Sequence, residues 1–274
     1  MWRCPLCQQP LQQSMRTWRC ENRHAFDEAK SGYLNLLPVQ NKKSRQPGDD
    51  KTMVNARRQF HDAKGYEPLM AALVETIQKH YAGQSDVRLF DAGCGEGSYL
   101  GYIVQALQDE ECRVNASGCD IAKHAVDLAA KRYKNCQFAV ASSAHLPLDD
   151  ASQDVVLQVF APGSNNEYQR VIAPGGLLIA VDPAEDHLWS IKQAIYDNPR
   201  QHKVEFAERA GFSQVIEQRV SFTVNLSDPQ TRQGLLEMTP YYWRLPQDEA
   251  QARFADLLQV EADFVMHVWQ REHS

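Results

Sequence analysis

The chain has 274 residues, 43% of them hydrophobic and 23% charged, a composition that suits a globular protein with one sizeable α/β domain and a small module. No apolar run is long enough to cross a bilayer, and the first residues show no basic and then apolar signal stretch. These features argue against a membrane-spanning or secreted protein. They predict a cytoplasmic protein with reduced cysteines and no membrane partner.

The net charge of −6 is distributed unevenly along the chain. Residues 1–64 hold twelve Lys or Arg and six Asp or Glu, so a net +6 at this end leaves −12 for the rest. Because clustered Lys and Arg side chains provide contacts to phosphate, the asymmetry predicts that the N-terminal part faces a polyanion. Lys42, Lys43 and Arg45 lie in the most basic stretch, although its Pro and Gly also suit a solvated linker.

Four metal-ligating side chains stand close together near the N-terminus. Two residues separate Cys4 from Cys7, twelve separate Cys7 from Cys20, and three separate Cys20 from His24. A closed set of three thiolates and one imidazole is typical of a structural zinc site, which allows a segment too short for its own core to stay folded. Two disulfides are the alternative, but they need an oxidising compartment, and the total of seven cysteines is odd.

The elements predicted along the chain alternate between strand and helix after a short metal-binding segment that ends near Pro38. Helical apolar spacing from Thr52 onward is broken near Gly65, so we expect two helices, the first of them capped by Thr52. The next elements are a strand at 87–91, a helix at 97–108, a strand at 114–120, a helix at 122–132, strands at 136–141 and 154–160, a helix at 165–172 and a strand at 176–182. This alternation predicts a doubly wound parallel sheet with ligand sites at the carboxyl ends of its strands.

A glycine-rich turn follows the first of these strands in the stretch FDAGCGEGSY, which contains Gly93, Gly95 and Gly97. Glycines let a ligand approach the backbone closely, and the N-terminus of the next helix favours an anionic group. A nucleotide-dependent dehydrogenase would share this feature. However, Asp91 before the first glycine would repel a pyrophosphate and attract an amine, and Asp120 at the end of the next strand can bind both hydroxyls of a ribose. The alternative for both acids is a simple strand-end cap.

With the turn APGG at residues 173–176, these features resemble class I S-adenosylmethionine-dependent methyltransferases over roughly residues 85–270. The stretch DFVMHVWQR at residues 263–271 is similar to the last, antiparallel strand of that class. The N-terminal set of metal ligands and four further stretches extend the resemblance to nearly the full chain. With them, the sequence resembles the RlmA family of bacterial 23S ribosomal RNA guanine-N1-methyltransferases. These stretches are GYLNLLPVQNKKSRQPGD, ARRQF, ASSAHLPL and LLEMTPYYWR.

The resemblance implies an α/β, Rossmann-like class I methyltransferase sheet with a small N-terminal zinc module, one structural zinc ion (Zn²⁺) per chain and S-adenosylmethionine as the cofactor. The implied zinc ligands are Cys4, Cys7, Cys20 and His24. The implied cofactor contacts are Cys94 with Gly95, Tyr66 and His187, in addition to Asp91, Asp120, Gly93 and Gly97. The alternatives are a core aromatic at a helix start for Tyr66 and a helix-capping or surface imidazole for His187. The implied substrate is a guanine in hairpin 35 of 23S ribosomal RNA, and a homodimer is expected to share an RNA-binding cleft.

On this basis the chain divides into a zinc-binding module at 1–38, a basic linker with helices at 39–84 and a methyltransferase domain at 85–274. Two departures from the wider class are visible. Ser142 stands where many class I enzymes have an acid that accepts a hydrogen bond from the adenine amino group. The stretch FAPGSNNEY after the fourth strand lacks the Asn-Pro-Pro-Tyr motif of exocyclic-amine methyltransferases. The second departure fits a ring nitrogen as the methyl acceptor.

The sequence assigns no catalytic base. Methyl transfer to N1 of guanine requires in-line approach and loss of the N1 proton, so positioning supplies most of the catalysis and a base can help. Glu167 is a candidate, with a solvated Glu at a helix start as the alternative. Two other functions stay open: a small-molecule methyltransferase, which has little need for a basic zinc module, and an idle RNA-binding adaptor, which has little need for Asp91 and Asp120.

Overall fold

The computed structural model describes residues 2–38, 48–203, 208–240 and 242–273. The predicted RNA-contacting residues Lys42, Lys43 and Arg45 lie outside the described residues. The helices are α1 (Lys51–Asp62), α2 (Glu67–His80), α3 (Ser98–Gln108), α4 (Lys123–Arg132), α5 (Asn165–Val171), α6 (Trp189–Ile195), α7 (Pro229–Glu237) and α8 (Gln247–Phe254). The strands are β1 (Gln12–Ser14), β2 (Thr17–Arg19), β3 (Ala25–Asp27), β4 (Leu34–Asn35), β5 (Asp86–Ala92), β6 (Arg113–Asp120), β7 (Cys136–Val140), β8 (Gln153–Val159), β9 (Ile172–Pro183), β10 (Phe212–Asn225) and β11 (Gln259–Arg271).

Eight strands form one sheet in the order β10-β11-β9-β8-β5-β6-β7-β4. Neighbouring strands from β4 to β9 are parallel, whereas β11 runs antiparallel to both β9 and β10. The chain passes from β5 to β6 on one side and returns to β8 on the other, so the strand order reverses at the C-terminal end of β5, where doubly wound folds bind ligands. The predicted sheet, mostly parallel with an antiparallel last strand, is confirmed.

The central strand β5 shows why both faces of the sheet are covered. Leu89 and Phe90 are consecutive in the stretch VRLFD, so they point to opposite faces, and both are fully buried. Leu89 belongs to one hydrophobic core, with Leu100 from α3, and Phe90 belongs to a second core on the other face. A continuous apolar run of this kind is typical of a parallel strand that is buried on both sides.

The N-terminal module is continuous with the large sheet. Its strand β4 pairs in parallel with β7, and the N–H of Leu36 donates to the carbonyl oxygen of Val140 at 2.9 Å. Trp2 packs edge-on against Phe90, with 6.3 Å between the ring centroids. The module therefore supplies an edge strand and part of the second core, while the domain boundary after residue 38 stays a prediction.

Two local features differ from the expectations. The N-cap of α1 is Asp50, whose Oδ1 accepts the N–H groups of Thr52 at 2.7 Å and Met53 at 2.9 Å, so the prediction of Thr52 as the cap is wrong. Strand β10 was not predicted, although Val220, Phe222 and Val224 alternate with polar residues as in a strand with one buried face; the rest of this edge strand is mostly exposed. None of the described helices combines the length and the apolar composition that crossing a bilayer requires.

Candidate metal and cofactor sites

The four N-terminal ligands converge on one point. The Sγ atoms of Cys4 and Cys20 lie 3.5 and 3.4 Å from Nδ1 of His24, and Sγ of Cys7 lies 3.6 Å from Sγ of Cys20. A tetrahedral zinc ion with Zn–S bonds of about 2.3 Å and Zn–N bonds of about 2.0 Å requires ligand atoms about 3.5 to 3.8 Å apart. Since all four ligand atoms lie within 4.8 Å of one another, the donor set and its dimensions fit a structural zinc ion.

Two matching turns present these ligands. Gln8 donates its N–H to the carbonyl oxygen of Cys4 at 2.8 Å and has a φ of 60°, and Arg23 donates to the carbonyl oxygen of Cys20 at 2.9 Å with a φ of 62°. One left-handed residue therefore closes each knuckle. The disulfide alternative does not hold, because all seven cysteines are free and the 3.6 Å between the sulfurs of Cys7 and Cys20 far exceeds the bond length of about 2.05 Å.

The glycine turn between β5 and α3 is fastened to the neighbouring strand β6. The N–H groups of Gly93 and Cys94 both donate to the carbonyl oxygen of Cys119, at 2.8 and 2.9 Å. Gly93 has a φ of 96°, and a Cβ at this position would lie 2.3 Å from Cβ of Ala161. Both the backbone conformation and the close neighbour therefore require glycine, and the loop after β8 lies directly against the turn.

Asp91 ends β5 as a buried carboxyl group. The residue is 1% exposed, and its Oδ1 has no hydrogen-bond partner within the part of the chain that the structure describes. Burial raises the pKa of Asp91 to about 8, and the charges of Asp120 and Glu96 add to this effect. A buried carboxylate oxygen without a partner fits a site for a cationic group, and S-adenosylmethionine carries an ammonium and a sulfonium group.

Asp120 ends β6 and retains acceptor capacity at the same edge of the sheet. Its Oδ2 accepts the N–H of Gly95 at 3.0 Å, and its Oδ1 accepts the N–H of Ala122 at 2.7 Å. Each carboxylate oxygen has two lone pairs, so each can accept one further donor, such as a ribose hydroxyl. Asp120 thus caps the turn, and this role is compatible with binding a ligand.

Helix α1 brings residues to the turn that the sequence did not predict. Nδ1 of His61 lies 2.8 Å from Oε1 of Glu96, both side chains are buried, and Ser98 Oγ donates to Glu96 Oε2 at 2.7 Å. Burial alone would raise the pKa of Glu96, but the contacts with His61 and Ser98 hold it below its usual value. Nη1 of Arg57 lies 3.7 Å from the position of a Cβ on Gly95. The i,i+4 spacing of Arg57 and His61 indicates a shared helix face, but nothing local connects that face to Glu96.

Tyr66 and His187 form an aromatic wall near the turn. Their ring centroids are 6.1 Å apart, and both rings contact Phe264, at 5.0 and 4.5 Å. The N–H of Asp263 donates to Nδ1 of His187 at 3.3 Å, and burial, followed by nearby basic groups, lowers the pKa of His187 to about 3. His187 is therefore neutral at physiological pH and carries its proton on Nε2. The ring of His61, 6.2 Å from that of Tyr66, connects the wall to the glycine turn.

Three other positions singled out in the sequence have defined surroundings. Burial raises the pKa of the Cys94 thiol, so Cys94 is not a thiolate nucleophile, as expected from its place in the glycine turn. The hydroxyl oxygen of Ser142 accepts the N–H of Ala144 at 3.2 Å. Glu167 accepts a backbone N–H at 2.7 Å and forms an ion pair with Arg170 at 2.8 Å, so its carboxylate is engaged in holding α5 and is not a solvated group.

Known proteins match both parts of the chain. A family profile described as "RlmA, N-terminal" matches residues 2–45, and one described as "Methyltransferase domain" matches residues 89–176. A Streptomyces fradiae protein named 23S rRNA (guanine(748)-N(1))-methyltransferase is 34% identical over 260 residues, which cover 93% of this chain and 90% of the relative. YxjB of Bacillus subtilis (strain 168), named as a candidate for the guanine-N1 class, is 32% identical over 259 residues, which cover 90% of this chain and 89% of the relative.

Among solved structures, YcgJ from Bacillus subtilis superimposes with a TM-score of 0.46 at 15% identity, covering 73% of this chain and 98% of that protein. The N-terminal profile includes the four metal ligands, and the Streptomyces fradiae relative matches nearly the whole chain. The chain therefore belongs to the RlmA family of 23S ribosomal RNA guanine-N1-methyltransferases.

Proposed function

We propose that this protein transfers a methyl group from S-adenosylmethionine to N1 of a guanine in a hairpin of 23S ribosomal RNA. One observation carries the proposal: the same chain holds a four-ligand metal cluster and, just before the glycine turn (the cofactor turn), a buried Asp91 carboxyl group. A small-molecule methyltransferase has little need for the cluster, and an idle adaptor has little need for the carboxyl group. The activity named for the Streptomyces fradiae relative supports guanine N1 as the acceptor.

The cofactor site is built from residues that surround the glycine turn. They are Tyr66, Asp91, Gly93, Cys94, Gly95, Gly97, Asp120 and His187. S-adenosylmethionine supplies an electrophilic methyl group on a positively charged sulfur. Asp91 provides negative charge for the cationic part of this cofactor, and Asp120 provides acceptors for its ribose hydroxyls. The rings of Tyr66 and neutral His187 keep water away from that edge of the site.

The acceptor nitrogen has to lose a proton during the transfer. Glu167 is engaged with Arg170 and a backbone N–H, so it offers no free base, and its pKa is lowered by these contacts although burial alone would raise it. The contribution of the chain is then mainly to hold the guanine in line with the methyl group, and the proton leaves to solvent.

The metal module supplies the surface for the RNA hairpin. Cys4, Cys7, Cys20 and His24 hold one zinc ion, which fixes the shape of both knuckles. The basic residues Lys42, Lys43 and Arg45, which lie outside the described residues, follow this module and contact phosphates. We also propose that two copies share the RNA-binding cleft and that the enzyme works in the cytoplasm.

The decisive experiment combines purified protein, S-adenosylmethionine and unmodified 23S ribosomal RNA. A methyl group on N1 blocks base pairing, so reverse transcription should stop at a single guanine after incubation with the wild type. Wild type without cofactor is the matched control and should give no stop. Cofactor binding without any methylated RNA would favour a small-molecule methyltransferase, and the absence of cofactor binding would favour the idle adaptor.

A further inference from the structure

Arg209 is partly buried, and its guanidinium group packs against aromatic rings. Its guanidinium group lies 4.5 Å from the ring centroid of Trp269 and 5.9 Å from that of Tyr168. Its Nη2 donates to Oε1 of Gln158 at 3.3 Å. These neighbours are aromatic rings and a neutral amide, so none of them compensates the positive charge.

The guanidinium of Arg209 has no carboxylate partner among the described residues. Arg3, Arg57 and Arg170, which are also partly buried, each form an ion pair with an Asp or Glu at 2.5 to 2.8 Å. The charge of Asp182 acts on Arg209 from a distance, but the two side chains form no ion pair. Nε of Arg209 is buried and has no hydrogen-bond partner in the described structure. No other guanidinium nitrogen of the described residues is both buried and without a partner.

This arrangement is unfavourable in free energy unless an anion from outside the chain pairs with the guanidinium group of Arg209. Burial lowers the pKa of Arg209, yet an arginine keeps its proton at any physiological pH, so the group stays charged. A half-buried cation with an unused donor is costly in free energy, and an anion offering two oxygens matches the planar fork of the guanidinium. The site is therefore suited to a phosphate or a carboxylate from outside the chain.

Arg209 lies next to the loop that borders the glycine turn, on the face of the sheet against which the metal module also packs. Trp269 and Tyr168, against which it packs, belong to the same hydrophobic core as Trp2 and Cys4 of the metal module, so Arg209 and the module share one face of the sheet. The partner amide of Gln158 also donates through Nε2 to the carbonyl oxygen of Ala161 at 2.8 Å.

Ala161 in turn lies against Gly93 of the cofactor turn. The loop after β8 therefore lies between the guanidinium group of Arg209 and the glycine turn, and an RNA strand whose guanine enters the site beside this turn would lie against the same loop. RNA presents one phosphodiester for every nucleotide, and phosphate contacts fix the position of the strand without reading its sequence.

From these contacts we propose that Arg209 binds a phosphodiester of the RNA substrate beside the guanine that is methylated. This inference rests on the proposed function, because it assumes that RNA is the substrate. Arg209 acts as a positioning residue in this proposal: it holds the strand at the loop after β8 and does not touch the reacting atoms.

The test measures binding of a 23S ribosomal RNA hairpin fragment over a salt series, for wild type, Arg209→Gln and Arg113→Gln. Arg113 is the matched control, because its side chain is 85% exposed and lies at the amino end of β6, whereas the glycine turn lies at the carboxyl ends of the strands, and its loss changes the net charge equally. For Arg209→Gln we expect affinity to fall roughly tenfold near physiological salt, and the slope of log affinity against log salt to shrink by about 0.7 to 0.9. Arg113→Gln should behave like the wild type.

Two further measurements keep the result specific. Affinity for S-adenosylhomocysteine should be unchanged in Arg209→Gln, and Arg209→Lys should retain most of the salt slope because it keeps the charge. The phosphate site would be overturned if Arg209→Gln bound RNA with the wild-type affinity and salt slope. It would also be overturned if Arg113→Gln lost as much RNA affinity as Arg209→Gln. A wild type that neither binds nor methylates the hairpin would overturn the proposed function together with this inference, whereas normal methylation by Arg209→Gln at low RNA concentration overturns the inference alone.

Discussion

The metal cluster and the glycine turn are assembled in different ways, although the module that holds the cluster packs against the sheet that carries the turn. All four metal ligands come from one short stretch between Cys4 and His24, and two similar tight turns hold them. The cofactor turn is surrounded by side chains from α1, α2 and three strands. Spacing along the chain therefore describes the first site almost completely and the second only in part.

The two sites also differ in their electrostatics. The metal cluster consists of one imidazole and three thiols that lose their protons when they bind an ion, and the bonds to that ion then hold both turns together, so the stability of the module depends on the ion. The cofactor turn carries an excess of acidic groups, in which Glu96 is paired with His61 while Asp91 is not paired by any described residue. Loss of the metal ion should consequently unfold the first site. Loss of the cofactor should leave the second site folded, with the charge of its acidic groups less well compensated.

The largest expected effect comes from removing one metal ligand. Cys20→Ser should abolish binding of zinc, and because the module supplies β4 and packs on Phe90, the whole sheet should lose stability. We expect the free energy of unfolding to fall by about 3 kcal/mol or more, which corresponds to a lower thermal midpoint by about 6 °C or more. Metal analysis and thermal unfolding of the purified variant measure both quantities.

Cys112→Ser is the control for this change, since Cys112 is a free, partly exposed cysteine outside the cluster. It should retain one zinc per chain and the wild-type midpoint. If Cys20→Ser lost its zinc but unfolded at the wild-type temperature, the module would be independent of the sheet, contrary to the pairing of β4 with β7.

An intermediate effect is expected from Asp120→Ala. This change removes the acceptors that we propose for the ribose hydroxyls, together with the cap of the turn, so the affinity for S-adenosylhomocysteine should fall by about 1.5 to 3 kcal/mol. Calorimetric titration provides the measurement. Asp86→Ala, which removes an exposed carboxylate at the start of β5, should leave the affinity unchanged, and an equal affinity in the Asp120 variant would show that this residue does not bind the cofactor.

The sequence predicted those parts of the fold whose signals are local and regular. The alternation of apolar runs and amphipathic segments predicted the parallel strands, and the glycine turn marked the end of β5. Short strands were expected in the metal-binding segment, but the pairing of β4 with the large sheet was not, because its partner β7 lies about a hundred residues further along. The cap of α1 was assigned to the wrong residue because Asp50 and Thr52 are both good caps and only the backbone conformation distinguishes them.

The candidate site shows the same limit. Asp91 and Asp120 could be singled out because each ends a predicted strand, and parallel strands bring their ends to one edge. His61 and Arg57 could not be connected to the turn, because their roles depend on how α1 crosses the sheet. That Arg209 has no carboxylate partner among the described residues is likewise a property of the packed structure and has no counterpart in sequence spacing.

The smallest expected effect is a pH dependence that belongs to the cofactor turn. The pKa of Asp91 is raised from its ordinary value to about 8, so in the free protein its carboxyl group is mostly protonated at lower pH. A cationic cofactor favours the ionised form, so binding should release about one proton, and affinity should rise as pH rises. Between about pH 5.5 and 7 the expected change approaches tenfold per pH unit.

Asp91→Asn separates this effect from other titrations. The amide keeps the shape of the side chain but cannot ionise, so the variant should bind S-adenosylmethionine more weakly than the wild type at pH 7 and should lose the slope. Calorimetry in buffers of different ionisation enthalpy measures the released proton directly. If the wild-type affinity did not change with pH over this range, or if the slope persisted in Asp91→Asn, another group would set the charge of the site. The contrast between a metal-dependent module and an acid-rich cofactor turn would then have to be explained without Asp91.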